Sequence, residues 1–179
     1  MGNTSLTNTI AFNYVVTQPL TLSIDPLGAG TISPNYNGQS LVIGKAYKVT
    51  AKAAKGFSVA GWSGGISSAA SKLTFTMESG LALTANFKDT QRPTCVVTYP
   101  AAKKTVTNDV ITAAGKAADN GAVAAVYYQF NTNAWTLAEG TTNWSAAGLT
   151  LNPGNNIIRA FAVDASTNIS LTNSITFKH

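Results

Sequence analysis

An all-β chain built as two modules is what this sequence predicts, and three observations lead there. Apolar residues recur two apart in short runs, as strands with one buried face require, and Gly, Pro, Asn and Asp break those runs at short intervals. Charged residues are only 11% of the chain, well below the usual quarter, and Thr, Ser, Asn, Ala and Gly take their place. No stretch carries the apolar period of a long amphipathic helix. With 179 residues the chain is long enough for two small domains, each with its own core.

Taken in order, the chain begins on an echo of its own end. The run Asn3-Thr4-Ser5-Leu6-Thr7-Asn8-Thr9-Ile10-Ala11-Phe12 returns as Asn168-Ile169-Ser170-Leu171-Thr172-Asn173-Ser174-Ile175-Thr176-Phe177, identical at seven positions and offset by 165. The chain therefore reads as a section of a tandem array, with residues 1–16 the last strand of a preceding module. Such a strand is an exposed edge unless it pairs. It is expected to join the adjacent module or a neighbouring chain, because Leu6, Ile10 and Phe12 would otherwise face water. Gln18-Pro19 is expected to interrupt it, since proline cannot donate to a ladder.

Residues 17–89 form the first full module. Leu20-Thr21-Leu22-Ser23-Ile24 alternates, turns through Asp25-Pro26-Leu27-Gly28-Ala29-Gly30 and meets Thr31-Ile32-Ser33, which predicts a hairpin. Ala46 to Ala51 alternates again. Phe57 to Gly65 carries Phe57 and Trp62 into a glycine-rich turn, and Leu73 to Met77 and Leu81 to Phe87 close the module. In their order, Gly-Ala-Gly-Thr-Ile-Ser-Pro, Gly61-Trp62-Ser63-Gly64, Phe75-Thr76-Met77 and Thr84-Ala85-Asn86-Phe87 resemble the divergent form of the internalin-type B-repeat over residues 19–88. That family is a short β-rich module of bacterial secreted and surface proteins. The resemblance implies an extracytoplasmic location and a repeat architecture, and it implies no catalytic residue.

Asp89-Thr90-Gln91-Arg92-Pro93 is a polar linker, and residues 90–179 follow a second pattern. Strands are predicted at Cys95–Pro100, Val110–Ala117, Val123–Phe130, Ala134–Leu137, Asn143–Leu151, Asn156–Val163 and Ile169–Phe177. Seven short strands with regular turns predict an immunoglobulin-like β-sandwich, without the Cys–Trp–Cys hallmark because Cys95 is the only cysteine. Gly115-Lys116-Ala117-Ala118-Asp119-Asn120, Val126-Tyr127-Tyr128, Leu151-Asn152-Pro153-Gly154-Asn155-Asn156 and Ala162-Val163-Asp164 resemble the bacterial immunoglobulin-like domain of cell-surface and secreted proteins, over residues 93–179. That family usually places Gly-Asn a few residues after the last Asp. Here Thr167-Asn168 stands there, while Gly2-Asn3 opens the N-terminal echo.

Few functions have residues to carry them. The net charge of +5 is spread thinly, and the densest cluster, Lys45 to Lys55, lacks the arginines and stacking aromatics of a nucleic-acid groove, so no nucleic acid is expected. No apolar run is long enough to span a membrane. His179, the only histidine, is terminal, reads as a frayed end or tag remnant, and leaves a triad without an ordered base. Glu78 and Glu139 lie in different modules, and Asp25, Asp109, Asp119 and Asp164 sit beside turn formers, so paired-carboxylate chemistry has no partners and no catalytic residue is assigned. Asp119 with Asn120, and Asp164 with Asn168, offer oxygens to calcium, but neither loop holds several carboxylates, and no metal ligand set is assigned. A set shared with Asp89 competes with plain turn capping. Lys116 and Asp119 have no asparagine placed for a side-chain crosslink, and no cofactor is expected.

Trp62 and Trp144 are expected in cores, where the resembled families use a buried aromatic. Trp135 follows a polar turn and is expected to be exposed, so Trp135 and Tyr127 are the candidate ligand-binding residues, able to stack on a sugar ring. The sequence thus points to a non-catalytic spacer or stalk repeat of an extracellular or cell-surface bacterial protein that supports adhesion. Its expected partners are neighbouring modules of the same chain and a polysaccharide or host-surface ligand. The alternative is an ancillary carbohydrate-binding module of a secreted hydrolase or adhesin.

Overall fold

The structure, a computed structural model, describes residues 14–179, so the echo at residues 3–12 lies outside the described residues. Two compact units divide the chain. One comprises residues up to Lys52 with Val59–Phe87, and the other comprises Ala53–Ser58 with Lys88–His179. Every regular element among the described residues is a strand.

The first unit is built on β1 (Thr17–Pro19), β2 (Thr21–Asp25), β3 (Gly30–Ser33), β4 (Ser40–Val42), β5 (Ala46–Ala53), β6 (Phe57–Gly64), β7 (Lys72–Thr76) and β8 (Ala82–Asp89), of which Ala53, Phe57, Ser58, Lys88 and Asp89 at strand ends belong to the second unit. They form sheets ordered β2-β8-β6 and β3-β5-β7 with a β1-β4 ribbon. Two expectations change here. Gln18-Pro19 does not end the β structure, because Pro19 closes a short strand opposite Ser40 at a ribbon end, where its missing N–H costs little. The hairpin joining β2 to β3 does not form either. β2 instead pairs parallel with β8, from Thr21↔Ala82 to Asp25↔Asn86. That pairing sets Leu22 beside Leu83, both buried, and matches one inward apolar row to another, which the local hairpin would not do.

The core of this unit gathers Leu20, Leu22, Val49, Trp62, Phe75, Met77, Leu83 and Phe87. Burying a side chain of this size stabilises by about 1.5–3 kcal/mol. Trp62 is held as expected: its backbone exchanges bonds with Ser68, and its indole N–H donates to the Ser71 carbonyl. The surrounding glycines have a physical cause. Gly61 adopts φ 124°, and a Cβ there would run into the Ser68 carbonyl.

The second unit holds β9 (Thr94–Tyr99), β10 (Val110–Ala118), β11 (Val123–Phe130), β12 (Thr136–Leu137), β13 (Glu139–Gly140), β14 (Asn143–Thr150), β15 (Asn155–Asp164) and β16 (Asn173–Lys178). Its two antiparallel sheets, β13-β14-β10-β9 and β12-β11-β15-β16, make an immunoglobulin-like sandwich. Ile111, Ala113 and Leu149 from one sheet and Phe130, Ile158 and Phe177 from the other fill one core layer. Cys95, Ala117 and Trp144 meet Val126, Ala160 and Ala162 in a second. β13 is an additional short strand, and the last strand begins at Asn173 rather than Ile169. The chain first bends so that the Ser170 hydroxyl accepts the Ala162 N–H.

The Asn-rich turn before β15 is explained by one side chain. Asn156 is fully buried, its Oδ1 accepts from Asn152 N and Asn131 Nδ2, and its Nδ2 donates to the Asn152 carbonyl. A buried amide satisfied on both sides fixes the turn where loop backbone would otherwise lose hydrogen bonds.

Candidate functional site

The alternation of β11 sends Val126 and Phe130 inward and Tyr127 outward, and β15 sends Phe161 outward beside it. Tyr127 and Phe161 are direct cross-strand partners with stacked rings, centroids 5.3 Å apart and 21° between planes. Trp135, on the turn into β12, meets Phe161 edge to face at 4.8 Å and 66°. The structure therefore brings Trp135 and Tyr127 onto one face, joined by Phe161, which the sequence reading passed over. Trp135 is 41% exposed, while Tyr127 and Phe161 are half-buried. The three rings are not coplanar: Tyr127 and Phe161 stack, and Trp135 crosses Phe161 edge to face. Arg159 beside them donates to Gln129 Oε1 and the Asn131 carbonyl.

A second constellation forms where β10 and β15 end. The register Val123↔Asp164 sets the end of β15 against the start of β11, and the loop from Asp119 to Gly121 lies next to it. Oxygens of Asp89, Asp119 and Asp164 all fall within 4.8 Å of one another. Asp89 Oδ1 accepts the Gln91 N–H, and Asp119 Oδ2 accepts the Gly121 N–H. Asp164 Oδ1 accepts the Asn168 N–H and its Oδ2 the Asn168 side-chain N–H, which also reaches the Asp89 carbonyl. Turn capping and a shared acidic cluster thus coexist on the same residues.

The remaining candidates are engaged in structure. His179 is not frayed: its backbone exchanges two hydrogen bonds with Gly154, its Nε2 lies 3.3 Å from Asp109 Oδ1, and its Nδ1 lies 3.1 Å from the Val106 carbonyl. Both ring nitrogens are occupied. Burial pushes the Cys95 thiol up to about 11, the Trp144 indole N–H pulling the other way. That N–H meets no acceptor at good hydrogen-bonding geometry, so the contact is weak. A protonated, buried thiol is a poor nucleophile. No helix among the described residues is long and apolar enough to cross a membrane.

Comparison with known proteins adds a family for part of the chain. The Divergent InlB B-repeat domain matches residues 20–91. No curated protein matches the chain. Among solved structures, the Clostridium thermocellum CbhA fibronectin(III)-like modules are similar over 92% of this chain and 93% of their own, at 14% identity and a TM-score of 0.40. Residues 20–91, with their Gly-Trp-Ser-Gly turn and Thr-Ala-Asn-Phe strand, are thus similar to the divergent InlB B-repeat domain, and in the chain this segment precedes an immunoglobulin-like sandwich.

Proposed function

We propose that this chain is a non-catalytic spacer of a secreted or surface-anchored bacterial protein, a load-carrying stalk segment that supports adhesion. One observation carries the reading: the first and last long strands of the B-repeat, β2 and β8, pair in parallel over five residues. The chain enters this ladder at Thr21 and leaves it at Asn86, which pairs with Asp25 at the other end, so entry and exit lie at opposite ends. Tension along the chain then loads the ladder bonds together in shear instead of peeling them one at a time. The Ser23 and Thr84 hydroxyls, 2.8 Å apart, tie the same two strands. Stretching single molecules from end to end tests this reading, and a distinct force peak for the B-repeat is the expected result.

Carbohydrate binding is the second reading, favoured by the exposure of Trp135. Sugar stacking needs an open ring face, and here Trp135 stands edge to face against Phe161. The chain is expected to pass over cellulose, chitin and cell-wall polysaccharide without retention beyond a control protein. Retention that disappears in Trp135→Ala would instead make this face a carbohydrate platform.

A further inference from the structure

We propose that Asp89, Asp119 and Asp164 of the second unit bind a calcium ion. Their oxygens lie within 4.8 Å of one another, a spacing that one ion spans at Ca–O distances of about 2.3–2.6 Å. A separate observation points to a missing ligand. Asp119 Oδ1 is closed to solvent and has no hydrogen-bond partner, whereas its Oδ2 is held by Gly121. Asp89 and Asp164 are more than nine-tenths buried, at 8% and 3% exposure. The one contact at salt-bridge distance among the described residues sets His179 against Asp109, so neither lysine nor arginine pairs with these three carboxylates.

A buried carboxylate oxygen without a donor is costly, and three like charges this close repel. A divalent cation answers both at once. Backbone and amide N–H groups of Gln91, Gly121 and Asn168 already fix the three carboxylates from behind, as supporting partners of ion ligands do. All three ligand groups supply oxygens, the donor type calcium takes. Magnesium, with shorter bonds and strict octahedral geometry, suits a loop-built carboxylate set less well than calcium does.

The test uses the whole 179-residue chain, stripped with a chelator and then titrated with calcium chloride in a calorimeter and followed by thermal melting. Binding of a single calcium is expected, with the melting temperature raised by roughly 5–10 °C at saturating ion. Magnesium at the same concentration should give less than half that rise. Asp119→Asn keeps an acceptor for the Gly121 N–H and should weaken calcium binding at least tenfold, while Asp109→Asn, at an exposed carboxylate, should leave it unchanged. No binding heat and no melting shift in the unaltered chain would overturn the proposal whatever the variants do. An equal response to magnesium would reveal simple charge screening and overturn it as well. Either failure leaves the spacer reading standing, because that rests on the β2–β8 ladder.

Discussion

Gly61→Ala is expected to destabilise the B-repeat by about 3 kcal/mol or more, from two causes that add. An alanine at φ 124° is held where L side chains are strained, at about 1–2 kcal/mol. Its Cβ would also run into the Ser68 carbonyl, and that backbone cannot retreat, because Trp62 and Ser68 exchange both of their backbone hydrogen bonds. Overpacking of this kind costs about 1–3 kcal/mol. For a unit of this size the loss corresponds to a melting temperature lower by roughly 12 °C or more. Gly80→Ala is the control, with φ 72° and nothing within 4 Å of the added Cβ, so it carries strain without the clash. Tryptophan fluorescence during thermal melting reads both variants. Near-equal losses for Gly61→Ala and Gly80→Ala would show that the Trp62 turn is not the constraint described.

The sandwich has a counterpart in Gly115, where the cost is steric alone. Gly115 sits opposite Trp144 across the β10–β14 ladder, and the indole lies over it, filling the space a side chain would take. A Cβ at Gly115 would strike the Trp144 ring and the Val96 carbonyl of β9. Trp144 is fully buried among Cys95, Ala117, Val126 and Ala160, so the ring has nowhere to swing. Gly115→Val is therefore expected to cost about 3 kcal/mol or more, and Trp144→Ala about 3–5 kcal/mol. The two must be coupled: in the double variant valine grows into the space the indole vacates, and the combined loss falls short of the sum by more than about 1 kcal/mol. Denaturant unfolding of the four chains measures this. Strict additivity would contradict the packing.

The strands of both units were legible because alternation is a local signal, and it marked Leu73–Met77 or Val123–Phe130 with little ambiguity. Pairing is not local. The same Leu20–Ile24 run suits a hairpin with Thr31–Ser33 or a parallel ladder with Leu83 and Ala85, and burial across sixty residues of chain decides between them. The aromatic face was half legible for the same reason: Tyr127 and Trp135 stand near each other in sequence, whereas Phe161 reaches them only through the β11–β15 register. Asp119 and Asp164 converge through that register too, and the Asn168 side chain ties Asp89 to them, while in the sequence each of the three looks like an ordinary turn former. Thr167 is a different case. It adopts φ 69°, the left-handed region a glycine enters freely, and so accounts for the Gly that the resembled sandwich family places at this point.

End-to-end stretching of single molecules tests the central claim most directly. A chain whose B-repeat bears load through a parallel ladder between its first and last long strands should resist extension with its own force peak. Rupture should then release roughly 220–240 Å of chain at about 3.6 Å per residue. Pulling the same module through attachment points at Thr21 and Ala82, which share one end of the ladder, should open it at a clearly lower force. Extension of this segment without a peak, or equal forces in the two directions, would contradict the account.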